Sequence, residues 1–348
     1  MDTVTHGLTG WLIARAIPSG PGRKEATAAV VIGSLLPDAD NVASLFGSEL
    51  YLRIHRGISH SFTGVGVSSL LIALLLYKYG KWKDLKKLYL LALLGQLSHI
   101  ALDLLNSYGT QIFQPFSDAR VSFDLLFIVD LIFTGIIVLG LFLSRYRPSR
   151  ARAALAILAA YVGFAAFLHL RAEDAVREAA VRHGVPVVSS WALPRLGKVP
   201  SLPDLAPVGR AEAAVTYRWE EVATGLSVLA DRKSFPLPAG PFAWNGFVDD
   251  GATYLRAEVD PFDGAIEWKE RARKGRDMPE ARALENLPDV RTYLWFARFP
   301  TVYVSTVEGK TVVTFFDLRF GGVTGRRPFV LRVIESPGGS PQAMWGGS

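Results

Sequence analysis

The 348-residue chain has no cysteine. That excludes a disulfide scaffold, thiolate-ligated zinc, iron–sulfur clusters and a cysteine nucleophile. Charge is thin as well: Asp, Glu, Lys and Arg make up 20% of the residues, against about 25% in ordinary soluble domains. HExxH, GxSxG and Walker A elements are missing, so nothing points to zincin, serine-hydrolase or P-loop chemistry. Gly64-Val65-Gly66 lies in an apolar run with no strand before it, which reads as helix packing rather than a dinucleotide loop. Half of the residues are hydrophobic and the net charge is only +6, which excludes a disordered chain.

The scarce charge is unevenly spread. Residues 1–170 hold 15 basic and 10 acidic residues; residues 171–348 hold 23 and 22. The first half reads as membrane. Between Arg56 and Lys78 lie 21 uncharged residues, and between Arg152 and Arg171 lie 18. Leu88–Leu105 and Leu125–Leu143 are apolar apart from His99, Asp103 and Asp130. Each run approaches the ~20 residues needed to cross a bilayer, which predicts four spans. Val4–Ile17 and Ala26–Leu36 are shorter and read as interfacial, re-entrant or tilted helices. Met1-Asp2 lacks the basic start of a cleavable signal peptide.

Orientation follows from the basic clusters. Arg15, Arg23 and Lys24 lie between the two short segments. Lys78, Lys81, Lys83, Lys86 and Lys87 separate two spans, and Arg145, Arg147, Arg150 and Arg152 separate the next two. The positive-inside rule puts all three in the cytoplasm. The basic balance is therefore a topology signal, and nucleic acid is not expected as a partner. Loops 37–62 and 106–124 then face outward, and residues 171–348 are expected outside the cytoplasmic (inner) membrane.

In the second half, His169–His183 reads as an amphipathic continuation of the last span, with Gly184 closing it. Residues 171–241 form this stalk and a proline-rich connector, with one strand or helix near Ala211–Leu229. Asp249-Asp250-Gly251 and Glu308-Gly309-Lys310 mark two hairpins, Phe242–Val248 with Thr253–Val259 and Thr301–Val307 with Thr311–Phe320. Pro328–Glu335 reads as a fifth strand, while Pro279–Leu287 and Val290–Phe296 read as helices. The expected architecture is a membrane α-helical bundle over residues 1–170, four full spans plus two short N-terminal helices. A small α+β domain with an antiparallel sheet follows over 242–335, then a loose tail over 336–348.

Four of the six histidines fall in the first 100 residues, and the few acids near them are patterned. His6, Asp38, Asp40, His55 and His60 lie at the outer ends of the predicted spans. His99 and Asp103 are spaced i,i+4 on one helix face, about 10 and 5 Å below its outer end, and Asp130 lies about 8–9 Å deep. Ionisable groups in a span cost at least ~2.5 kcal/mol each on insertion scales, so several in one layer suggest a shared site. Imidazole and carboxylate together are ligands for zinc, manganese or iron, and six candidates suit one or two ions. Taken singly, Asp38 and Asp40 also suit turn or capping roles, and His99 a packing or proton-path role.

These motifs resemble those of the bacterial membrane-bound, predicted metal-dependent hydrolases, a family that includes the LexA-regulated inner-membrane hydrolase. The matching residues are Asp2-x-x-Thr5-His6, Leu36-Pro37-Asp38-Ala39-Asp40, His55-Arg56-Gly57-Ile58-Ser59-His60-Ser61, Ser98-His99-x-x-x-Asp103, and Ser107-Tyr108-Gly109-Thr110 through Pro115-Phe116-Ser117. Trp295–Pro300 and Asp317–Gly321 resemble the longer branch of that family. The resemblance implies metal-dependent hydrolysis and supplies no substrate. The expected ligands are His6, Asp38, His55, His60, His99 and Asp103, with zinc placed first. Asp40 or Asp130 would orient a ligand or accept a proton, and Arg56 would hold an anionic substrate group. The depth of the site favours a membrane lipid as substrate. A metal or proton transporter and a scaffold with a structural metal are the alternatives.

Overall fold

The computed structural model describes residues 1–17, 20–145, 147–198, 236–238, 240–307, 309–320, 329–336 and 338–346. Helix starts follow from capping side chains. Asp2 accepts from Thr5 N at 3.0 Å and opens α1 (Thr3–Ala16). After α2 (Arg23–Leu35), Pro37 occupies the first turn of a tighter 3₁₀ stretch, Leu36–Phe46. A short α3 (Ser48–Ile54) and a turn at Ile58–His60 complete this connection. Ser61 caps α4 (Phe62–Tyr79) and Asp84 caps α5 (Leu85–Leu104). Asp130 caps α6 (Leu131–Leu143), and α7 (Pro148–Arg182) runs unbroken for 35 residues.

Among the described residues, four helical stretches are long and apolar enough to cross a membrane: Arg23–Phe46, Phe62–Tyr79, Leu85–Leu104 and Pro148–Arg182. The number agrees with the expectation, but one member differs. The 3₁₀ stretch lengthens α2, which sequence reading took as a short segment. Leu125–Leu143 was expected to span, yet its helix begins only at Leu131, because the Asp130 carboxylate takes the Phe133 N–H and fixes the first turn there. Thirteen residues make only about 20 Å.

Small residues let α2 and α5 touch along their backbones. A Cβ on Gly95 would stand 2.2 Å from the Val30 carbonyl oxygen, and one on Gly33 would stand 2.4 Å from that of Ala92. Neither contact can yield without moving a helix. Gly95→Leu is expected to destabilise the bundle by about 1–3 kcal/mol or more, read as a lowered thermal midpoint in detergent. An unchanged midpoint would show that the helices part at no cost.

The end of the Arg23–Phe46 stretch and the connection around residues 113–123 turn large apolar side chains outward. Leu45, Phe46 and Phe116 are 79%, 72% and 85% exposed. Patches of this kind mark a membrane or protein contact in soluble surroundings.

The chain divides into two compact units, residues 1–195 with 240–251 and 255–271, and residues 196–239 with 252–254 and 272–348. The first includes a four-stranded sheet in the order β1 (Ser189–Pro194), β4 (Trp244–Asp249), β5 (Thr253–Val259), β6 (Ile266–Arg273). β1 pairs antiparallel with β4, from Ser189 opposite Asp249 to Pro194 opposite Trp244. The sheet covers the far half of α7, where Leu168, Ala172, Val176 and Ala180 recur at helical spacing against Ala192, Trp244 and Val248. β2 (Leu196–Lys198) and β3 (Pro236–Pro238) pair separately. In the second unit, β7 (Pro300–Val307), β8 (Lys310–Asp317), β9 (Leu331–Glu335) and β10 (Gln342–Trp345) form an antiparallel sheet ordered β10-β9-β8-β7. Its buried core is shared with α8 (Pro279–Leu284) and α9 (Pro288–Phe296).

The fold class is thus a membrane helical region followed by antiparallel sheets with helices. Both hairpins form where their turn signals stood, and α7 ends at Arg182 with Gly184 in the left-handed region at φ 67°. Two expectations need correction. Residues 242–335 contribute to two sheets, because the apolar stripe on the stalk half of α7 recruits β4, with β5 and β6 joined to it. The tail expected to be loose contains β10, which β9 pairs and whose Trp345 packs against the second core. The element expected near Ala211–Leu229 lies outside the described residues.

Candidate metal centre

Four buried side chains from three segments converge. Asp38 comes from the 3₁₀ stretch, His60 from the turn before α4, and His99 and Asp103 from successive turns of α5. His60 Nε2 lies 3.1 Å from His99 Nε2 and 3.2 Å from Asp103 Oδ2. His99 Nε2 lies 3.4 Å from Asp103 Oδ2 and 3.6 Å from Asp38 Oδ1, which is 3.9 Å from His60 Nε2. Around a zinc-sized ion with ~2.0–2.1 Å bonds, tetrahedral ligand atoms stand about 3.3 Å apart, so the spacings suit one ion.

Hydrogen bonding on the far side of each ring decides what faces inward. His99 Nδ1 is 2.8 Å from the Ser34 carbonyl oxygen, which can only accept; Nδ1 therefore carries the hydrogen and Nε2 presents a lone pair. His60 Nδ1 is 3.2 Å from Asp40 Oδ2, which assigns the same tautomer. Two imidazole lone pairs and two carboxylate oxygens thus face one another. Among the described residues, Asp103 Oδ2 has no hydrogen-bond donor. Converging buried acceptors are stabilised by a positive charge among them, a bound cation or a proton on His60. Four ligand atoms of this kind are able to hold a divalent cation.

Asp40 braces the connection that supplies His60. Its Oδ1 lies 2.7 Å from His55 Nδ1, and its Oδ2 accepts from the Arg56 N–H at 3.1 Å and the Ser59 hydroxyl at 2.5 Å. Burial pulls the His60 imidazole down, but Asp103 and Asp40 outweigh it and hold its pKa above the ordinary value. At His55 burial wins over Asp40, and the pKa lies below the ordinary value. Asp38, Asp40 and His55 form a second group of possible ligand atoms, sharing Asp38 with the first.

Asp103 has a second face. Its Oδ1 accepts from Arg56 Nη2 at 2.8 Å, contacts the Met1 amino group and lies 3.2 Å from His6 Nε2. His6 is also 3.2 Å from the Met1 carbonyl oxygen and stacks on His99 with ring centroids 3.6 Å apart. It therefore sits against the cluster from outside the set of four.

The structure brings His6, Asp38, Asp40, His55, Arg56, His60, His99 and Asp103 into one buried region and leaves Asp130 out. Asp130 was expected in the same layer as a base. Its oxygens instead accept from Phe133 N and from the Tyr161 hydroxyl, both at 2.8 Å, as the cap of a helix too short to carry it deeper. Arg56 was expected to grip a substrate anion with its two terminal nitrogens. Those are committed to Asp103 and, at 2.9 Å, to Asn106 Oδ1. Sequence reading missed the Ser34 carbonyl, Asn106 and Thr3, whose hydroxyl donates to Asp38 Oδ2 at 2.6 Å. Backbone carbonyls leave no residue-type signal, and Thr3 and Asn106 are common cap and turn residues.

Residues 1–172 match the model of a family described as YdjM inner membrane protein. The chain is also similar to YfhP of Bacillus subtilis (strain 168), an uncharacterized protein, with 35% identity over 133 residues. That alignment covers 36% of this chain and 41% of YfhP, so it spans less than half of that relative. No solved structure matches the chain.

Proposed function

Residues 1–172 match the YdjM inner membrane protein family, and from that likeness we propose that this integral membrane protein is a metal-dependent hydrolase. Its proposed substrate is an ester or phosphoester of a membrane lipid, cut at the face opposite the basic loops, which the positive-inside rule makes the outer face. The observation that carries the reading is the convergence of four buried groups, two imidazoles and two carboxylates, whose ligand atoms all lie within 4.8 Å of one another. Asp38, His60, His99 and Asp103 would hold the ion, zinc first, and Asp38, Asp40 and His55 suit a second. Bound there, a divalent ion supplies Lewis-acid polarisation and lowers the pKa of water from 15.7 toward ~7.

The chain's own residues do the rest. Ser34 and Asp40 fix the tautomers of His99 and His60, so both rings present Nε2 without rearrangement. His55 donates its Nδ1 hydrogen to Asp40, which leaves Nε2 with a lone pair for a second ion or, where none is bound, for a proton. The exposed Leu45, Phe46 and Phe116 give the connections around the site an apolar exterior, favouring a substrate that arrives through the bilayer. A transporter would need polar groups continuing toward the basic end. Gln96, one turn below His99, is instead closed off by Ser68 and Ser69, each at 2.8 Å.

Two measurements test this reading: metal content of the detergent-purified protein, and release of product from phospholipids. Protein that holds one or two equivalents of metal yet cuts no lipid ester would sink the hydrolase assignment and leave a metal-binding scaffold. Asp40→Asn is expected to weaken zinc affinity about 10- to 100-fold, as loss of a ligand's supporting carboxylate does elsewhere. Competition with a chromogenic chelator reads that change.

A further inference from the structure

The connection after α5 carries buried polar side chains that the metal cluster does not use. Asn106 and Gln111 are fully buried and Arg56 almost so. Two 2.9 Å bonds tie them together, from Arg56 Nη1 to Asn106 Oδ1 and from the Gln111 N–H to the Arg56 carbonyl. Asn106 Oδ1 also accepts from the Tyr108 N–H at 2.9 Å, which assigns the oxygen and leaves the amide nitrogen as a donor. Gln111 Oε1 accepts from Gln114 Nε2 at 2.6 Å. Three nitrogens are left over. Asn106 Nδ2, Gln111 Nε2 and Arg56 Nε have no hydrogen-bond partner among the described residues.

All three leftover atoms are donors, and a buried donor without an acceptor costs about 1–3 kcal/mol. The Arg56 and Arg120 guanidinium groups also lie 4.8 and 5.0 Å from the centre of the Tyr108 ring. Arg56 is held at φ 60°, a left-handed conformation that ordinary residues avoid. Asp40 grips its N–H, Gln111 its carbonyl, and Asp103 and Asn106 its side chain. The loop thus holds three fixed nitrogen donors, beside the Thr110 hydroxyl, which can donate or accept, and Arg56 joins it to Asp103 of the metal cluster.

We propose that Asn106, Gln111 and Arg56 Nε form a subsite for an anionic oxygen group, a phosphoryl group above all, beside the ligand Asp103. Phosphoryl oxygens only accept, which is what three unpaired donors require; a water molecule brings its own hydrogens and leaves them to be placed. That the phosphoryl group belongs to the substrate rests on the hydrolase reading. The binding itself does not.

The test titrates inorganic phosphate into the full-length protein in detergent, with and without zinc, and follows it by ³¹P line broadening. Gln111→Met keeps the volume and removes the donor; Gln111→Glu adds a repelling charge. Phosphate affinity is expected to fall about tenfold or more in Gln111→Met and to vanish in Gln111→Glu, with zinc content unchanged in both. Wild-type protein that ignores phosphate, or variants that bind it equally well, would overturn the subsite and leave ordered water as the partner of these donors. Failure of the metal reading looks different: zinc is not retained, while phosphate binding still depends on Gln111.

Discussion

Asp103→Asn is expected to empty the metal site. The substitution keeps the shape of the side chain and removes the charge that faces His60 and His99 at 3.2 and 3.4 Å. Its new amide hydrogens would satisfy the lone pairs that a cation or a proton on His60 otherwise stabilises. Affinity should fall by more than about 100-fold, beyond the range commanded by residues that merely support a ligand. Elemental mass spectrometry of wild type and variant, purified side by side, reads the outcome. Stoichiometric metal in both would dismantle the four-ligand set.

The second large effect is expected at Arg56, and in stability rather than binding. Arg56→Met leaves Asp103 Oδ1 facing the protein interior without its guanidinium. Breaking a buried pair from one side costs about 3–5 kcal/mol. The thermal midpoint of the metal-free protein should drop sharply, and added zinc should recover part of the loss, because a ligand of the folded state stabilises it by mass action. A midpoint equal to wild type would show that the Met1 amino group and His6 suffice to hold Asp103.

Much of the membrane half was legible because charge is scarce there. Each acid or histidine in an apolar run stands out, and His99 and Asp103 announce their shared face by spacing alone. What stayed hidden depends on directions that spacing does not encode. Asp130 looked like part of the layer because it precedes an apolar run, yet that position is also where a helix takes its cap. Asp40 and Asp38 are two residues apart in one turn, but one is aimed at the histidines' outer nitrogens and the other inward. Arg56 could be singled out as near the site, while its engagement with Asp103 required a backbone turned left-handed. In the second half, β1 lies between prolines and was read as connector. Its partner β4 was legible only as half of a hairpin, so the sheet on α7 could not be assembled from local signals.

The length of α7 has a mechanical consequence. At 1.5 Å per residue, its 35 residues make a rod of about 52 Å, with no proline after the first turn to bend it. One half is apolar enough to lie in the bilayer, and the other is the floor on which β1 and β4 rest. Helices tilt to match the thickness of their membrane, and a tilt of about 10° swings the end of such a rod by about 9 Å. The sheet packed on that end of α7 shares any such displacement.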